Sequence, residues 1–115
     1  MKTPEFGKSF EQLILMELAS YQAYKDPELE ISFWRTSSKQ EVDFILNDKM
    51  VAIEVKGGSQ VRDHELKGLS LLSEDGAIQR KIVVSLETEP RRVGDVDILP
   101  FSVFLEKLWG EDLGL

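Results

Sequence analysis

Apolar residues recur at three- and four-residue spacing in KSFEQLILMELASYQAY, residues 8–24, where Phe10, Leu13, Ile14, Leu18 and Tyr21 line one side of a helix. Ser9 has the acceptor chemistry of an N-cap. Asp26-Pro27 ends the helix, because the residue before proline leaves the helical region. The period then changes to two. In LEISFWR, residues 29–35, Leu29, Ile31 and Phe33 alternate with polar neighbours. TSSKQ reads as a turn, and residues 41–46 and 51–56 as two further strands. GGSQ precedes a second helix over 62–73, with Leu66, Leu69 and Leu72 on one side. KIVVSL, 81–86, reads as a short apolar strand, ETEPRRVGD as a loop and VDIL as a last short strand. PFSVFLEKLWG reads as a C-terminal helix with Pro100 in its first turn. Phe101, Leu105, Leu108 and Trp109 recur there at helical spacing and belong to a core, while Trp34 suits either a core or a partner surface. The pattern predicts one α/β (α+β) domain over residues 1–115, a central mixed sheet flanked by helices.

One stretch does not fit a plain core. In EVDFILNDKMVAIEVKGG, residues 41–58, Asp43, Glu54 and Lys56 interrupt two apolar strands. An even loop centred between Asp48 and Lys49 pairs Leu46 with Val51 and Phe44 with Ile53. It then sets Asp43 across from Glu54 and Glu41 across from Lys56. That register keeps Val42, Phe44 and Leu46 on one apolar face, and a slip of one residue would spoil both faces. Two like charges facing each other destabilise a sheet. Burying an unpartnered carboxylate costs several kcal/mol or forces it to take a proton. A hard divalent cation between the two resolves both problems, and Mg²⁺ suits a site of few carboxylates and several retained waters. On a wheel of ~100° per residue, Glu17 lies within the inward stripe of Phe10, Ile14 and Tyr21, so it can join them if its helix covers that sheet face. Glu11 lies nearer the stripe's edge and Glu5 precedes the helix. The alternative is a set of strand-end charges in which Lys56 neutralises one carboxylate.

Composition narrows the chemistry. The 115 residues suffice for one core without staples. The chain has no cysteine, which excludes disulfides and thiolate metal sites and suits a cytoplasmic protein. The first residues, MKTPEFGKSFEQL, hold no apolar run expected of a signal peptide, and no stretch approaches a membrane span. The single histidine, His64, sits in a polar run and is expected to be exposed; serine–histidine catalysis and multi-histidine metal sites do not fit. Fourteen basic and 21 acidic residues give a net charge of −7, which opposes binding to a phosphate backbone.

Asp43, about ten residues, then Glu54-Val55-Lys56, preceded by a helix bearing Glu17, resembles the PD-(D/E)xK nuclease superfamily, with its αβββαβ, restriction-endonuclease-like core. More narrowly, FEQLILMEL, FWRTSSKQEVDFIL, AIEVKGG, LKGL, KIVVSL and ILPFSVFLEKLW resemble the nuclease-like domain at the C-terminus of many prokaryotic AAA+ ATPases, over nearly the whole chain. Val42 stands where the superfamily name has proline. The resemblance implies a metal-dependent DNA endonuclease or phosphodiesterase using Mg²⁺ or Mn²⁺. Asp43, Glu54 and the Val55 carbonyl would be ligands, Lys56 the motif lysine, and Glu17 the helix carboxylate, with Glu11 as a second candidate. Among the basic residues near the expected site and loops, Arg62, Lys67, Arg91 and Arg92 are the nucleic-acid-binding candidates, and Arg80 and Lys81 complete the basic set. The implied partners are DNA and an AAA+ ATPase module in the same or another chain, from which this domain would have been excised; self-association stays open. The competing expectation, favoured by the acidic charge, is a non-catalytic nuclease-like domain that regulates or docks an ATPase.

Overall fold

Six strands form one mixed sheet in the order β1-β2-β3-β4-β6-β5 in this computed structural model. It describes residues 4–35, 41–48, 50–58, 60–74, 78–113 and 115. Helix α1 (Pro4–Tyr24) leads into β1 (Ile31–Arg35), β2 (Glu41–Leu46) and β3 (Val51–Val55). A 3-10 turn (Asp63–Leu66) runs into α2 (Lys67–Glu74), followed by β4 (Arg80–Ser85), β5 (Arg91–Val93), β6 (Val96–Pro100) and α3 (Phe101–Trp109). The first three strands are antiparallel; β3, β4 and β6 are parallel, and β5 closes the far edge antiparallel to β6. The fold is therefore mixed α/β, as the pattern predicts, and α1-β1-β2-β3-α2-β4 follows the expected αβββαβ order. Among the described residues, no helix is long and apolar enough to cross a membrane.

Each sheet face carries its own core. Phe44, Leu46, Val51, Ile53, Ile82, Val84 and Leu99 lie under Phe10, Ile14, Leu18 and Tyr21 of α1 and Phe104 and Leu108 of α3. On the other face Val42, Ile45, Ala52, Val83 and Ile98 lie under Leu66, Leu69 and Leu72. A fully buried leucine or isoleucine contributes about 1.5–3 kcal/mol, so these two layers hold the sheet between its helices. Phe101, Leu105 and Trp109 pack against the first layer and Trp34 against the second.

The β2–β3 hairpin keeps the predicted register, with Phe44 opposite Ile53 and Leu46 opposite Val51. Asn47 and Asp48 both adopt positive φ, 51° and 52°. Asparagine and aspartate tolerate that region, and the resulting twist suits a tight hairpin. The Asn47 carboxamide oxygen also accepts the Glu30 amide at 3.1 Å, joining the turn to the start of β1.

The departures have physical causes. The first helix begins at Pro4, so Ser9 and Glu5 lie inside it, not at a cap or before it. β2 bulges: Ser32 faces Ile45 and Trp34 faces Val42, so Asp43 and Phe44 together oppose Phe33. The extra residue turns Val42 to the face of Ile45, away from Phe44 and Leu46. Phe33 stays exposed on the edge strand. The expected loop before VDIL holds a strand, β5, turned back onto β6 at Gly94. The TSSKQ turn and the His64 side chain lie outside the described residues.

Gly94 sits at φ +61° in that turn, with open space around its Cβ position. A side chain there meets no clash but pays the left-handed backbone penalty. Gly94→Ala is expected to cost about 1 kcal/mol, seen as a lower urea midpoint at unchanged slope.

Candidate functional site

The strand directions set the geography. β1 and β3 run the same way, so the end of β3 and the start of β2 lie at the carboxyl end of the parallel strands. In open α/β sheets that end is where ligands bind. The C-terminus of α1 joins β1 through a short loop at the opposite end, so the N-terminal half of α1 points back towards the carboxyl end. Edge-to-face contact between Phe10 and Phe101, the first residue after β6, agrees with that placement.

At the bulge, Asp43 leaves the ladder. The β2–β3 pairing stops at Phe44–Ile53, and the Val55 amide donates to Asp43 Oδ2 at 2.7 Å. A carboxylate thus stands where a strand carbonyl would. In an antiparallel strand a residue's N–H and C=O face the same neighbour, so the Val55 carbonyl is directed to the side of Asp43. Glu54 is 4% exposed and alternates with Ala52, which places it on the α2 face. Lys56 is half-buried, and its amide donates to the Val84 carbonyl at 2.9 Å, continuing the parallel ladder. Asp43 therefore meets the end of β3 at Val55, the residue between Glu54 and Lys56 in the chain. The Asp43 and Glu54 carboxylates and the Val55 carbonyl carry hard oxygen atoms of the kind that Mg²⁺ or Mn²⁺ takes. Among the described residues, however, no three acidic or histidine side chains gather where they could hold an ion.

Glu17 is not brought to this group. α1 covers the face opposite Glu54, and Glu17 lies about 9 Å further along the helix than Glu11. Its Oε1 accepts the indole N–H of Trp109 at 3.0 Å. Trp109 also stacks edge-to-face on Tyr21, so the inward carboxylate fastens α3 to α1. Glu11 is exposed on the half of α1 nearer the carboxyl end. The partner expected for Lys56, the Glu41 side chain, lies outside the described ones.

The basic candidates separate. Arg62 is exposed and Lys67 is exposed at the start of α2. Arg92 is ion-paired to Asp97 at 3.0 Å, and Arg80 and Lys81 begin β4 at the far end of the sheet. Arg91 is held by Glu87: Nε donates to Oε1 at 2.7 Å and Nη2 to Oε2 at 2.9 Å. The loops after β3 and β4 enclose an open cleft of about 520 Å³ flanked by Gln60, Arg62, Thr88 and Glu89, with this pair in its wall. Glu87 was missed in the sequence, where EP and RR only mark a loop.

The Arg91 hydrogen bonds, and the Val61 amide with them, hold the Glu87 carboxyl below the ordinary glutamate range against the opposing effect of burial. As pH falls through that range, the unfolded chain takes up the proton first. The stability contributed by Glu87 is therefore full above the ordinary glutamate pKa and is lost as pH falls towards and through the lower folded value. Urea melts from about pH 6 to about pH 3 are expected to show a shallower loss for Arg91→Ala than for wild type. For Glu17, the Gln variant keeps an acceptor for Trp109 and is expected to stay within about 0.5 kcal/mol of wild type, while Glu17→Ala costs about 1–2 kcal/mol. A double-mutant cycle with Trp109→Phe measures that coupling.

The sequence matches the family model described as Domain of unknown function (DUF4143) over residues 6–104, from the first turns of α1 into α3. A comparison with curated proteins finds no match. With most of its length in that match, the chain belongs to the DUF4143 family.

Proposed function

We propose that this domain is a metal-dependent phosphodiesterase of the PD-(D/E)xK kind acting on DNA. The observation that carries the reading is the Asp43 carboxylate turned onto the Val55 amide, beside buried Glu54 and half-buried Lys56, at the carboxyl end of the parallel strands. Asp43, Glu54 and the Val55 carbonyl would hold Mg²⁺ or Mn²⁺, with waters completing the shell because, among the described residues, no third carboxylate is gathered there. When bound, such a cation supplies a Lewis acid and an activated water. The chain's own part is positioning. The Val55 amide fixes the rotamer of Asp43, the ladder to Val84 fixes the backbone of Lys56, and the Lys56 ammonium stabilises charge that develops on the phosphate. Of the described basic candidates, Arg62 and Lys67 are the exposed ones that would meet the nucleic-acid backbone.

A second reading, a non-catalytic docking or regulatory module for an AAA+ ATPase, is favoured by the net charge of −7 and by the engagement of Arg91 and Arg92 with acids of their own chain.

Thermal melts with and without Mn²⁺, run beside cleavage of plasmid and single-stranded DNA, separate the two. A saturating ion at a hundred times its Kd adds about 2.7 kcal/mol of stability, so wild type is expected to melt several degrees higher with metal. Asp43→Asn keeps an oxygen for the Val55 amide, so it should fold normally yet lose both the metal response and cleavage. A wild type indifferent to metal and inert on DNA would sink the nuclease reading in favour of the docking module.

A further inference from the structure

We propose that Glu87 and Arg91 are positioning residues for the Asp43–Glu54–Lys56 site, an inference that rests on the metal-dependent reading above. Lys56 is followed by Gly57-Gly58, the least constrained backbone the chain could place there. Such a segment would let the end of β3 swing unless it were fixed downstream. It is fixed at three points. The Lys56 amide donates to the Val84 carbonyl, and the Leu86 amide donates to the Gly58 carbonyl at 3.2 Å. Val61 closes the loop on both sides of its residue: its amide donates to Glu87 Oε2 at 2.6 Å and its carbonyl accepts Arg91 Nη2 at 2.7 Å. The Val61 side chain is buried in the α2-side core, which anchors the clamp to the sheet.

The clamp is built to hold still. The Glu87 side chain is only 9% exposed and meets Arg91 through two parallel hydrogen bonds, the planar pairing that guanidinium and carboxylate favour. The Glu87 amide donates to Ser85 Oγ, and Ser85 is fully buried, so the backbone carrying the carboxylate is itself set. Two loops that would otherwise move independently become one wall of the cleft. That wall carries Arg62, one residue beyond Val61, and Lys56 lies outside it, five residues before Val61 along the chain. Glu87 touches neither the proposed ion nor the phosphate; it acts by fixing the backbone that presents them.

The test uses the whole chain and Mn²⁺ alone as the probe, read as Kd by titration, with hydrogen exchange at amides 57–61 and thermal melts run in parallel. Glu87→Ala is expected to speed exchange across 57–61 and to weaken Mn²⁺ binding about tenfold or more, the usual cost of losing support behind a ligand. Arg91→Lys should recover part of the affinity that Arg91→Ala loses. Lys107→Ala, which breaks a surface ion pair with Asp112, is the control and should leave both readouts at wild-type values. If Glu87→Ala fails to fold, Glu87→Gln and the Arg91 pair carry the same comparison. Normal Mn²⁺ affinity with a loosened loop, or a lowered melting point with unchanged affinity, overturns the positioning role while leaving the metal site intact. A wild type that binds no Mn²⁺ overturns the metal reading itself and this proposal with it, and that arm is read before any variant.

Discussion

The carboxyl end of the sheet depends on the hydrogen bond from the Val55 amide to the Asp43 carboxylate. A strand amide must find a partner, and most find a neighbouring carbonyl. Here the extra residue in β2 opposite Phe33 carries the strand out of register with its neighbour β1, and a side chain takes over where the ladder to β3 ends. The substitution lets two strands part without stranding a buried donor. It also puts a negative charge at the seam, held by the backbone of the residue next to Glu54. Neither the bulge nor the carboxylate would be tolerable alone: a bulge without Asp43 leaves an amide unmet, and Asp43 without the bulge would face Glu54 across a regular pair.

The helices repeat this economy on the opposite face. Glu17 is half-buried because Trp109 needs an acceptor for its indole N–H once the ring packs on Tyr21. An aromatic ring with a polar edge is best used where that edge meets a partner. The pair joins residues 92 positions apart and fixes α3 across α1, which in turn seals Phe10, Ile14 and Leu18 over the first core layer.

The fold was legible where one rule governed. The 3.6 period marked α1 and the leucines before and within α2, and the pairing of Phe44 with Ile53 and Leu46 with Val51 followed from the apolar face of the hairpin. It failed where a contact depended on a distant element. Wheel geometry shows that Glu17 points inward, but not that it meets Trp109 instead of a cation. Strict alternation put Val42 with Phe44, because nothing in EVDFIL announces a bulge. RRV read as loop because two arginines on a three-residue strand resemble solvated charge. The Glu87–Arg91 clamp was illegible for the same reason: its target, the Val61 backbone, is 26 to 30 residues away and offers no side-chain signal. Of the candidate site, register put Asp43 across from Glu54, whereas the ladder ends at Phe44–Ile53 and Asp43 meets the Val55 amide instead, and Glu17 is turned to Trp109.

Strand β5 has a bearing on how the molecule behaves beside its neighbours at high concentration. An open sheet ends in unpaired backbone groups that invite another chain to add a strand. β5 is only three residues long, and Arg91 and Arg92 are both exposed on it. An incoming strand would have to strip water from two guanidinium groups to gain a few hydrogen bonds. The same arginines that close the cleft and the hairpin therefore guard this margin against fibril-like growth.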